Sequence, residues 1–278
     1  MKKEMIKVLA FVVLLTFGIG ISTYALTTGY TSFAELAAAE DPSDYQITTN
    51  DKGKDTTILA IHGGGIERGT SELAEALNGY GKYNTYLFEG LKPTDNGSLF
   101  MRAINFDEPK AVDLVQDSDY TVSIIGAAGD GEVTYIGGQN KILAELIKLH
   151  LISKGYNVQT LSIPDRIAGI MDSNIVNKNE LFNGSIQLGG VQIAVSKGLR
   201  DTLVSYPLVL KDYSGAINNA LSKDWPRIVT VLKKFDKPNQ GFFSRLNPLK
   251  PSFEKKVDQI LKKGAKTPEE LVEDTEEE

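Results

Sequence analysis

Between Thr57 and Glu72 (TILAIHGGGIERGTSE) an apolar run stops at His62, three glycines follow, and Glu67 comes five residues after the histidine. Glycine reaches backbone shapes closed to other residues, so a chain leaving a buried strand here can turn sharply and aim His62 and Glu67 at one point. Two chemistries suit such a turn. In one, imidazole and carboxylate hold a metal ion, with a third ligand from a neighbouring strand end and a water completing a hydrolytic zinc site. In the other, His62-Gly63-Gly64-Gly65 is an oxyanion loop whose N–H groups face a developing negative charge. That second chemistry needs a serine on a strand-to-helix elbow and a histidine base. No G-x-S-x-G occurs, and the only other histidine, His150, sits in a long apolar helix pattern, where a structural role suits it. The metal reading is therefore preferred.

Other side chains fall close to such a site in the sequence pattern. Asp130 and Glu132 follow the strand read at Tyr120–Ile125 and are weak substitutes as metal ligands, with solvated turn acids as the plainer reading. Glu89, at the end of another strand, is a further carboxylate. Arg68, Arg102, Lys197 and Arg200 are candidates for gripping an anionic substrate, since guanidinium pairs with carboxylate through parallel N–H donors. Asn183, in an Asn-Gly turn, is a further candidate substrate contact.

The elements that must position these residues read as alternating strands and helices. Continuous β-branched runs at 57–61, 120–125 and 190–195 are the mark of strands covered on both faces, and 83–88 and 156–163 also read as strands. Helices are expected at 70–77 with Thr70 or Ser71 as cap, at 109–115 behind Pro109, and at 139–153, which Gly155 closes. This recurrence predicts an α/β fold with a mixed, largely parallel sheet flanked by helices. Beyond Arg200 the pattern changes to helices and breaks (213–221, 227–235, 253–263). The organisation read from it is a signal peptide at 1–25, a lead-in at 26–44, the α/β domain at 45–203, a helical extension at 204–266 and an acidic tail at 267–278.

Composition restricts the rest. Of 278 residues none is cysteine, which excludes disulfides, a thiolate nucleophile and a cysteine zinc site. Three lysines ahead of an apolar segment at 8–21 resemble a secretory signal peptide, predicting a secreted or cell-surface bacterial protein with no membrane span after cleavage; an uncleaved anchor is the alternative. The net charge is −6, the first 25 residues contribute +2, and the last twelve carry seven acids and no base, so residues 26–266 are nearly neutral. No basic face for nucleic acid is indicated.

Taken together, His62–Ala74 (HGGGIERGTSELA), Phe88-Glu89-Gly90, Leu99–Pro109 (LFMRAINFDEP), Val122–Gly138 (VSIIGAAGDGEVTYIGG) and Gly189–Arg200 (GGVQIAVSKGLR) resemble the poly-γ-glutamate hydrolase family of phage and bacillus proteins. The resemblance covers about residues 45–200 and implies a zinc-carboxypeptidase-like fold, zinc as cofactor, and hydrolysis of γ-glutamyl amide bonds. It makes His62 and Glu67 zinc ligands. The family's third ligand, the histidine of an S-x-H-G pattern, falls on Ile125; its catalytic glutamate, in V-Q-I/L-E, falls on Ala194; and a further family histidine falls on Phe100. Isoleucine has no lone pair for a metal, and alanine cannot act as a base. The expectation is thus a degenerate member with zinc weak or absent, binding an anionic γ-glutamyl polymer, a cell-wall peptide or a protein partner. The alternative is an active zinc amidohydrolase with a rearranged site.

Overall fold

A computed structural model describes residues 29–180 and 188–235, the last five by main chain alone. The signal segment, Asn183, the helix read at 253–263 and the acidic tail lie outside the described residues. Seven strands form one sheet in the order β1-β3-β2-β4-β7-β5-β6. These are β1 (Tyr45–Asn50), β2 (Thr56–Gly64), β3 (Asn84–Gly90), β4 (Tyr120–Ala127), β5 (Thr134–Gly138), β6 (Val158–Gln159) and β7 (Val191–Ser196). Pairing is parallel from β3 through β2 and β4 to β7 and again between β5 and β6, and antiparallel for β1–β3 and β5–β7. The mixed, mostly parallel sheet expected from the sequence is present, and its central strands are the continuously apolar ones.

Alternation along the central strands divides the core in two. Ile58, Ala60, Val122, Ile124, Ile193 and Val195 face one layer, which the helices α2 (Thr70–Asn78), α4 (Lys141–Ser153), α6 (Lys197–Ser205), α7 (Pro207–Asn219) and α8 (Trp225–Phe235) supply. Leu59, Ile61, Ile125 and Ala194 face the other, covered by α1 (Phe33–Ala39), α3 (Pro109–Gln116), the 99–106 loop and the short α5 (Asp165–Ala168). Among the described residues no helix is long and apolar enough to cross a membrane.

Several local expectations need revision. The strand read at 156–163 is only Val158–Gln159, because Ser162 takes a positive φ of 54° and Pro164 leads directly into α5. The cap of α2 is neither Thr70 nor Ser71 but Gly69 at φ 100°, whose N–H donates to the Glu72 carboxylate at 2.8 Å. The stretch read as a lead-in is part of the packed fold from residue 30: Leu36 is fully buried, and the Tyr30 hydroxyl donates to Glu40 at 2.7 Å. A boundary at 203/204 falls inside α6. The helices that follow close the first core layer, with Tyr213 and Ile217 at zero exposure and Trp225 set edge-on against Tyr120 at 5.3 Å between ring centres.

Candidate functional site

His62 owes its direction to a β-bulge. Between Ala60 and Gly63 strand β2 carries one more residue than its partner β3, since Ala60 pairs with Leu87 but Gly63 with Glu89. An extra residue reverses the alternation of a strand. Ile61 and His62 therefore both face the layer of Leu59, and Gly63 returns to the α2 side, where a Cβ would stand 3.0 Å from Ser71. Gly64 closes the strand at φ 60°, with its α-carbon too near the Gly90 carbonyl for any side chain (2.5 Å to a built Cβ). The chain then doubles back. The Glu67 N–H donates to the His62 carbonyl at 2.9 Å, and the Thr70 hydroxyl donates to the carbonyls of His62 and Glu67 at 3.0 and 2.9 Å. Thr70, read as a cap, instead pins this turn.

The turn brings the two predicted ligands together. His62 Nδ1 lies 3.0 Å from Glu67 Oε2, and Nε2 lies 2.7 Å from the Met101 carbonyl oxygen. A carbonyl only accepts, so Nε2 carries a proton and Nδ1 shares a second one with Glu67. Two atoms bound to one tetrahedral zinc at 2.0–2.1 Å stand about 3.3 Å apart, so Nδ1 and Oε2 converge almost as two such ligands would. The Gly126 N–H also donates to Oε2, at 2.5 Å. Burial alone would push the Glu67 carboxyl up, but the charge of His62, its hydrogen bond, the Gly126 N–H and the charge of Arg200 together hold it below the usual carboxylate range.

The third side of the site is apolar. Ile125, 4% exposed, faces the same cleft, and its register partner across the β4–β7 pair is Ala194, fully buried. The two positions at which the resemblance expects ligand and base are therefore neighbours on one face of the sheet. Phe100 stacks on the His62 ring with centres 4.4 Å apart and planes 29° from parallel. Among the described residues no group of three or more His, Cys, Asp or Glu side chains is placed to hold a metal. His62 and Glu67 alone do not fit a catalytic zinc, which takes three protein ligands.

The other candidates are scattered. Asp130 and Glu132 do not line the cleft; Glu132 accepts from Thr202 on α6 at 2.5 Å. Glu89 projects to the α2 side, beside Gly63 and within electrostatic reach of Glu75. Lys197 is exposed and paired with Asp201 at 2.5 Å one turn along its own helix. Arg200 donates to the carbonyls of Val195 at 3.1 Å and Arg68 at 2.6 Å, and neither it nor the exposed Arg68 side chain is among the groups lining the cleft. Arg102 does line it. His150 pairs with Asp224 at 2.7 Å, on the helix layer across the sheet, which leaves the oxyanion reading without a base.

The cleft encloses about 290 Å³, and its far wall, Asp165 to Asn174, carried no sequence signal. That wall is hung on Gln192 of β7, buried on the same face as Ala194. The Gln192 amide N–H donates to the Ile167 carbonyl at 2.8 Å, and its oxygen accepts from Asn174 at 3.0 Å. At the opposite side, Gly126 sits so close that an added Cβ would stand 2.7 Å from the Glu67 carboxyl carbon and 3.0 Å from the Arg200 guanidinium. Gly126→Ala should thus cost about 1–3 kcal/mol in urea unfolding. An unchanged midpoint would show that this contact is loose.

Comparison with known proteins gives a consistent result. The sequence profile of the poly-gamma-glutamate hydrolase family matches residues 30–212. The SPbeta prophage-derived protein YoqZ of Bacillus subtilis is 43% identical over 159 residues, 57% of either chain. YndL of the same organism is 37% identical over 174 residues, 63% of this chain and 66% of its own. The chain thus spans 57% of the length of YoqZ and about two thirds of that of YndL. Among solved structures, zinc-free YndL in its apo form superposes with a TM-score of 0.65 at 32% identity, covering 70% of this chain and 98% of that one. A bacteriophage poly-gamma-glutamate hydrolase superposes with a TM-score of 0.64 at 30% identity, covering 71% and 98%.

Proposed function

Because the chain belongs to the poly-γ-glutamate hydrolase family, we propose that it is a secreted member that has kept the family's cleft and given up its hydrolytic centre. The observation that carries this reading is the Ile125–Ala194 pair, an apolar patch on one face of β4 and β7 beside His62 and Glu67. A zinc hydrolase must polarise an amide and activate a water, and each task needs a side chain with lone pairs near the metal. Among the described residues His62 and Glu67 are hydrogen-bonded to each other, and no third His, Cys, Asp or Glu joins them in a metal-holding group. The function is then binding, with an anionic γ-glutamyl polymer, a cell-wall peptide or a partner protein as the classes of ligand. Export is supported by the lysine-led apolar segment at 8–21.

The convergence of His62 and Glu67 favours one rival, an active zinc amidohydrolase completed by a ligand from outside this set. One experiment separates the two. The purified protein is assayed for zinc by mass spectrometry and incubated with poly-γ-glutamate, whose chain length is followed. Substoichiometric zinc and unchanged polymer are expected. Stoichiometric zinc with chain shortening abolished by His62→Ala would overturn the proposal.

A further inference from the structure

The replacements at the metal position do more than remove ligands; they change what the cleft can hold. Its floor and walls now carry Phe100, Ile104, Ile125 and Ile167, and Met171 forms its rim with 56% of its surface exposed. On the same stretch of chain Ile170 and Leu161 are 49% and 77% exposed. An exposed apolar side chain at an apolar cleft, as Met171 is here, suits a ligand with an apolar segment. At the same cleft stand Arg102 and Arg166, both exposed, and neither guanidinium pairs with a side chain among the described residues. Among the described residues the acids of the cleft are Glu67, engaged by His62 and Gly126, and Asp165 beside Arg166, so the pair of guanidinium groups outweighs the one uncommitted carboxylate.

We propose that this cleft binds an amphipathic carboxylate, with an apolar chain against Ile125 and Phe100 and its carboxylate on Arg102 and Arg166. The proposal rests on the binding reading above and narrows it. A ligand anionic along its whole length would bring charge against the Ile125 floor, where it would lose water without gaining a partner. An apolar segment gains there. Two sources supply this chemistry, a peptide ending in an apolar residue and a fatty acid.

Titration calorimetry on the whole protein tests it with butanoate, hexanoate and octanoate, with N-acetyl-leucine, and with glutarate as the doubly charged control. Affinity should rise with chain length by up to about fourfold per methylene, and glutarate should bind at least tenfold more weakly than octanoate. N-acetyl-leucine binding more tightly than hexanoate assigns the peptide source, and the reverse assigns the fatty acid. Arg102→Gln with Arg166→Gln should weaken octanoate at least tenfold, and Ile125→Thr, still β-branched but one heavy atom smaller and bearing a hydroxyl, should flatten the chain-length series. A flat series in the unaltered protein, glutarate equal to octanoate, no binding of any acid, or full affinity in the double arginine variant each overturns the proposal. None of these outcomes bears on hydrolysis, so the loss of catalysis stands or falls separately on the zinc and polymer assay.

Discussion

Ile125→His combined with Ala194→Glu is expected to bind zinc stoichiometrically and more tightly than the unaltered protein. The expectation follows from placement. Residue 125 faces the cleft from β4, the N–H of the next residue already touches Glu67 Oε2 at 2.5 Å, and residue 194 is its register partner on β7. A histidine at 125 therefore enters the site from the strand adjoining the one that carries His62, and completes three protein ligands with His62 and Glu67. Loss of a group that merely supports a ligand typically costs about 10- to 100-fold in metal affinity, so adding a ligand outright should raise affinity by at least about 100-fold. The glutamate at 194 then stands one strand over, as a base for a metal-bound water.

Calorimetry with zinc reads the first effect and shortening of poly-γ-glutamate the second. The two substitutions also report separately. Ile125→His alone should bind zinc without cleaving polymer, whereas Ala194→Glu alone puts a carboxyl into a fully buried apolar position and should only destabilise the fold. A folded double variant that takes up no zinc would mean that residue 125 does not occupy the ligand position.

Much of this geometry could be read from the sequence, and what escaped has a physical reason. Strands β2, β4 and β7 announce themselves because both their faces are covered, which leaves unbroken β-branched runs. The meeting of His62 with Glu67 follows from spacing and glycine. The bulge that aims His62 does not, since a strand with one inserted residue has the same composition as one without, and only the pairing of Ala60 and Gly63 with β3 reveals it. The wall at Asp165–Asn174 escaped for a related reason: single hydrogen bonds from Gln192 hold it in place, and these leave no periodic trace. The hydrogen bonds of Arg200 could not be foreseen either, because a guanidinium that binds two carbonyls of its own chain has the same sequence as one waiting for a ligand.

The second large effect concerns the pair that remains. In a protein without zinc, His62 and Glu67 form a clasp joining the end of β2 to Met101 and to Gly126 of β4. Removing one member of a buried charged pair strands the other, at about 3–5 kcal/mol. Glu67 retains 20% side-chain exposure, so His62→Ala should fall toward the lower end, about 3 kcal/mol, measured by urea unfolding of zinc-free protein at pH 7. The pH dependence gives an independent check. The Glu67 carboxyl is held below its ordinary range in the folded state, so the unfolded chain binds its proton more readily. Its contribution is therefore full above the unfolded value near about 4.3 and is lost as pH falls through the lower folded value. Glu67→Gln has no such proton to take up, so its stability should fall less steeply than that of the unaltered protein below about pH 5. Equal slopes would show that the carboxylate contributes nothing as an ion, and the contact would then be an ordinary neutral hydrogen bond whose loss costs about 1 kcal/mol rather than 3.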